Sequence, residues 1–144
     1  MTELDLPDQP ATEALAARLA ALSGAGDVIA LHGEMGVGKS VFARAFLRAL
    51  AGDPSLEVPS PTFSLVQIYD LPKATVAHFD LWRLDGPDAL FELGWDEVQE
   101  GIMLVEWPER AGDELPRHAL HLTLMPGEGE EGRRVMLEGW SDRL

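Results

Sequence analysis

A chain of 144 residues, 46 % hydrophobic and 25 % charged, has the make-up of one globular domain around a single core. Its formal charge of −14, from 25 acidic against 11 basic residues, opposes direct nucleic-acid binding, which draws on Lys and Arg. Cysteine is absent, which excludes disulfides and thiolate metal sites.

The first residues, MTELDLPDQP, have neither the basic nor the apolar stretch of a secretory signal. No apolar run reaches the length of a membrane span, so a soluble cytoplasmic protein is expected. A short edge strand is expected around Leu4–Leu6. From Pro10, the run PATEALAARLAALSG repeats Leu15, Leu19 and Leu22 at helical spacing, and SGAGD stops it. VIALH, Val28–His32, is short, apolar and bounded by turn residues, as a buried strand is. A second helix follows over KSVFARAFLRAL, with Phe42, Ala45, Phe46, Ala49 and Leu50 as its apolar face.

PSPTF is held out of helix by two prolines. SLVQIY and ATVAHF form an antiparallel hairpin across DLPK. DGPDALFELGWDEVQEG holds one or two short helices, and IMLVE is another buried strand. HALHLTLM and RRVMLEGW form a last hairpin around PGEGEEG. The order implies an α/β fold with a mixed sheet: a parallel core, antiparallel hairpins and flanking helices.

Between the first buried strand and the second helix lies GEMGVGKS, which fits the phosphate-gripping pattern G-x-x-x-x-G-K-[ST] in the context that pattern needs. Gly33, Gly36 and Gly38 permit a tight turn with backbone N–H groups against a phosphate, and the helix adds its positive end. Lys39, one of only two lysines in the chain, supplies a point charge, and Ser40 offers a hydroxyl to Mg²⁺. Glu34, Met35 and Val37 complete the expected contact loop. Such short-range donors let an acidic protein hold ATP, because distant carboxylates are screened beyond ~8–10 Å.

Hydrolysis also needs a carboxylate near the metal. Asp80, in ATVAHFD, and Glu106, in IMLVE, both end apolar strands, where α/β sheets bind ligands. The local alternative is two ordinary strand-end acids. Thr62 in SPTF is either a turn threonine or a hydroxyl that approaches the metal or γ-phosphate. Trp107, next to Glu106, packs near the site or simply in the core. His118 and His121, three apart on one expected strand, face opposite sides and make a poor metal pair. Glu92, Asp96, Glu97 and Glu100 read as a solvated face, and Trp82, Trp95 and Trp140 as core or partner-surface residues.

GEMGVGKS, SPTF, HFDLWRL and LVEWPER together, in this order and approximate spacing, resemble the TsaE (YjeE) family, small ATPase components of bacterial tRNA threonylcarbamoyladenosine synthesis. The resemblance covers most of the chain. It implies a P-loop fold, ATP (and its product ADP) with Mg²⁺, and work alongside TsaB and TsaD, which install the modification on adenosine 37. It implies that Lys39 binds phosphate, that Ser40 and Glu106 hold Mg²⁺, and that Asp80 assists hydrolysis through the attacking water or the metal's water shell. Thr62 would belong to a switch-like loop. Gln9, Thr12 and Arg133 would lie near the nucleotide. Ser40 stands where Thr is commoner, and Trp82 where Tyr is usual.

No arginine finger stands out; Arg83 or a partner's residue could serve, so turnover alone is expected to be slow. A small-molecule kinase with the same loop and a non-catalytic nucleotide-dependent switch are the rival readings. A guanine-specific switch lacks its N/T-K-x-D element, since the chain has no asparagine.

Overall fold

A computed structural model describes residues 2–61 and 63–144; Thr62 lies outside the described residues. The elements run β1 (Thr2–Leu6), α1 (Gln9–Leu22), β2 (Val28–His32), α2 (Lys39–Ala51), β3 (Val66–Asp70), β4 (Thr75–Asp80), β5 (Ile102–Glu106), β6 (Leu120–Pro126) and β7 (Arg133–Glu138). Three 3₁₀ segments, Pro87–Leu93, Asp96–Val98 and Pro108–Glu114, flank β5 in the chain.

The strands form one sheet in the order β1-β7-β6-β2-β5-β4-β3. Its centre, β6-β2-β5-β4, is parallel. The outer pairs, β3 with β4, β6 with β7 and β1 with β7, are antiparallel. This is the expected mixed sheet, and the fold is a P-loop α/β fold. Central strands buried on both faces are near-continuous apolar runs, as in VIALH and IMLVE.

The two sheet faces carry different cover. Ile29, Leu31, Leu104 and Leu122 pack under α1 and α2, while Val28, Ala30, Phe79 and Val105 pack under the 3₁₀ segments around Leu90 and Trp95. Helix α1 starts at Gln9, one residue before Pro10, because Asp8 caps it by accepting a hydrogen bond from Ala11 N–H at 3.0 Å. The buried face of α2 is Lys39, Phe42, Ala43, Phe46, Leu47 and Leu50. This corrects the expected face: Ala49 is exposed and Ala45 half-buried. The i, i+3, i+4 rows that include Ala43 and Leu47 carry more apolar volume.

Strand β3 begins at Val66, two residues later than SLVQIY suggests. Leu65 takes a left-handed conformation (φ 68°) and donates its N–H to Pro61 O, which keeps Ser64 and Leu65 out of the ladder. His118 also departs from expectation. It precedes β6, and its Nε2 sits 2.8 Å from Gly26 O, so strand alternation does not govern it. The helical run after β5 had no counterpart in the sequence reading. Glu92, Asp96, Glu97 and Glu100 are exposed, as read; Trp95 and Trp140 are core, and Trp82 is at the surface.

Candidate functional site

The parallel strands β2, β4, β5 and β6 share a direction, so their C-terminal ends meet on one edge. Leu31 is level with Glu106, and Glu106 with Asp80. The glycine loop leaves β2 at that same edge and enters α2, whose N-terminal end faces it. Gly33 (φ 149°) and Gly36 (φ 84°) hold backbone conformations that side chains disfavour. At Gly33 a Cβ would also fall 2.7 Å from Val37 Cγ1 and 3.0 Å from Leu124 O, so the loop lies tight against β6.

A crevice of about 380 Å³ opens there, lined by Gly36, Lys39, Ser40, Asp80 and Glu106. Lys39 is 6 % exposed, and its Nζ has no hydrogen-bond partner among the described residues. It rests instead 3.7 Å from the centroid of the Trp107 ring. Burial pushes the Lys39 amine below the usual lysine range, and the nearby Glu106, Asp80 and Glu109 carboxylates oppose that push. A buried ammonium with unused donors is a fit for phosphate oxygens.

Trp107 reaches under Lys39 because its backbone is left-handed (φ 55°), a strained state for a bulky residue and one that concentrates at functional sites. Its ring packs on Trp82 at 4.5 Å, with Arg110 over Trp82 at 5.8 Å. The two carboxylates are held differently. Asp80 Oδ1 accepts the Trp82 N–H at 3.1 Å, while Glu106 Oε2 lies 2.6 Å from His78 Nε2. Both acids are nearly buried. No group of three or more His, Asp or Glu side chains among the described residues is arranged to hold a metal ion. Magnesium does not need one: it takes one or two carboxylates, phosphate oxygens and water. Ser40 is exposed on the crevice, and Glu106 lines it with one carboxylate.

Across the loop a small hollow of about 100 Å³ gathers Gln9, Thr12, Gly38 and Arg133. Arg133 donates from Nε to Val37 O at 2.6 Å and from Nη1 to Glu130 O and Gly132 O. The last hairpin thereby grips the loop. Gly33, Glu34, Met35 and Val37 line a neighbouring hollow with Arg133, and Met35 and Glu34 project to the surface. The crevice and these hollows bring together all of the expected site residues that are described; Thr62 lies outside the described residues. Arg83 lies apart, stacked on the exposed Phe63 ring at 4.7 Å.

Sequence reasoning did not single out His78, His32 or Glu109, and it weighed His121 only as a poor metal partner of His118. His78 and Asp80 are two apart on one strand, so they share a face, which was legible; that Glu106 sits diagonally across required the strand register. His32 and His121 stack on the opposite face, Nε2 to Nδ1 2.9 Å, with Glu109 3.8 Å from His32. Burial and then His121 lower the His32 pKa, Glu109 raises it, and Lys39 lowers it slightly.

The family model for "Threonylcarbamoyl adenosine biosynthesis protein TsaE" matches residues 6–135. The chain belongs to the TsaE family. Among TsaE relatives, one from Rickettsia prowazekii is 38 % identical over 84 residues, 58 % of each chain. One from Rickettsia bellii is 34 % identical over 120 residues, 83 % of each chain. One from Bacillus subtilis is 31 % identical over 134 residues, 92 % of this chain and 82 % of its own. The match spans less than two thirds of the R. prowazekii protein and 62 % of the Rickettsia felis TsaE. A crystal structure of Bacillus subtilis YdiB superposes with a TM-score of 0.77 at 25 % identity, covering 99 % of this chain and 87 % of that one. The TsaE family is one of tRNA threonylcarbamoyladenosine biosynthesis.

Proposed function

We propose that the chain is a Mg²⁺-dependent ATP-binding and ATP-hydrolysing subunit for modification of adenosine 37 in tRNA, acting in the cytoplasm with TsaB and TsaD as a single P-loop domain. The observation that carries this reading is the buried Lys39 ammonium at the mouth of the glycine loop, without a hydrogen-bond acceptor among the described residues and lining the same crevice as Asp80 and Glu106. In this reading Lys39, the loop amides and the α2 N-terminus bind and orient the phosphates. Ser40 and Glu106 hold Mg²⁺, which when bound neutralises charge on the phosphate oxygens. Asp80 orients the attacking water or the metal's water shell. Thr62 belongs to a switch-like loop. Gln9, Thr12 and Arg133 border the rest of the nucleotide, Arg133 through its hold on the loop. Phosphoryl transfer to water needs chiefly positioning and charge neutralisation, which these groups supply.

The acidic surface suits a subunit that leaves tRNA to its partners. Release of inorganic phosphate from ATP, measured alone and with TsaB and TsaD, tests the reading. Slow turnover that the partners strongly stimulate is expected. Phosphate appearing on a metabolite would favour a kinase. Partner binding without hydrolysis, even in the full assembly, would favour a switch.

A further inference from the structure

Strand β4 buries a histidine level with Gln67 on β3. His78 is 2 % exposed, level with Leu104 on β5 and between Val76 and Asp80 on the same face. Its Nε2 lies 2.6 Å from Glu106 Oε2, while its Nδ1 is buried with no hydrogen-bond partner among the described residues. A proton on Nδ1 would be a buried donor without an acceptor. The hydrogen therefore belongs on Nε2, donated to the carboxylate. For packing alone this is a poor choice: a buried ring with one polar atom unsatisfied costs stability that an aliphatic side chain would not. What the ring achieves is control of Glu106. A glutamate has three rotatable side-chain bonds, and one fixed Nε2–H removes that freedom by holding Oε2.

We infer that His78 is a positioning residue. Its Nε2–H pins Glu106 Oε2, so that the carboxylate meets the metal in one orientation. The inference rests on the proposed role of Glu106 as a magnesium ligand. Partners that orient a metal ligand are worth about 10–100-fold in metal affinity or activity. The role is defined by where the donor sits. His78→Gln carries its amide nitrogen out to the Nε2 position, whereas His78→Asn ends near Nδ1 and falls short of Glu106. The two variants share chemistry and differ in reach.

The test is metal binding to the ADP complex, followed by Mn²⁺ electron paramagnetic resonance, beside the Mg²⁺ concentration for half-maximal ATP turnover. His78→Asn should raise the metal dissociation constant and the half-maximal Mg²⁺ concentration by about 10-fold or more, and His78→Gln should stay within about threefold of the parent in each. Binding of ADP without metal should not change in either. In a Glu106→Gln background His78→Asn should add nothing, because the two act as a unit. Unchanged metal affinity in His78→Asn, with Glu106→Gln impaired, would overturn the assignment and leave Glu106 as ligand. Unchanged affinity in Glu106→Gln would overturn the Glu106 reading and this assignment with it. Should His78→Asn not fold, the nitrogen NMR signature of His78 in the parent protein decides: an Nε2–H tautomer supports the role, and an Nδ1–H tautomer ends it.

Discussion

Lys39 is the residue on which the site turns. Its ammonium is buried, has no hydrogen-bond acceptor among the described residues and sits 3.7 Å from the centroid of the Trp107 ring. A cation–π contact is worth about 0.5–2 kcal/mol, less than charge-assisted bonds to several phosphate oxygens, so the lysine can leave the ring for a nucleotide. Lys39→Ala is expected to lower ATP turnover by about 10²-fold or more, measured as phosphate release. Normal turnover would refute the role of the loop. The two acids should separate. Glu106→Ala is expected to weaken Mg²⁺-dependent nucleotide binding by about 10-fold or more, and Asp80→Ala to affect it less while still depressing turnover. Titrating Mg²⁺ against both variants checks this, and equal metal dependence would undo the division of labour.

At the scale of elements, the glycine loop is held by backbone geometry as well as by the Arg133 side chain. Gly33→Ala brings both a disfavoured backbone and a clash with Val37 and the β6 backbone; Gly36→Ala brings only the backbone cost, since nothing lies within 4 Å of its Cβ position. Gly36→Ala is expected to cost about 1–2 kcal/mol and Gly33→Ala more, read from denaturant midpoints. Equal losses would mean the loop does not lean on β6. Elements such as β2, β5 and α2 were legible because each is an apolar run or stripe between strong turn signals. Their ends also placed Asp80, Glu106 and Lys39. The 3₁₀ turn after Trp107 was not, because Pro108–Glu114 is too short and polar to carry a period. The start of β3 was not either, because the left-handed Leu65 is a bulky residue with no sequence mark for that conformation. The His78–Glu106 contact and the His32–His121 stack depend on strand neighbours 28 and 89 residues apart. Only the register, set by the whole sheet, brings them together.

For the molecule as a whole, one ion pair ties the last residues to the start of β2. Arg143 donates to Asp27 from Nη1 at 2.7 Å and from Nη2 at 2.9 Å, and Gly24 N–H adds a third bond to the carboxylate. Burial alone would raise the Asp27 pKa, but the Arg143 and Gly24 bonds outweigh it and hold the pKa below its ordinary 3.8. The resulting stability is fully present above that ordinary value and drains as the pH falls through the lower, folded one. Asp27→Asn is therefore expected to cost about 1–2 kcal/mol near neutrality and to flatten the acid limb of a plot of stability against pH. An acid limb as steep as the parent's would show that the pair contributes nothing. The hairpin of β6 and β7 has a consequence of its own. Arg133 fastens a carbonyl of a segment nearly a hundred positions earlier, so the binding loop is finished by chain synthesised late. A nascent polypeptide that has reached only β5 would carry every residue of the glycine motif yet lack this clasp, and competence to take up nucleotide would arrive with the final strand.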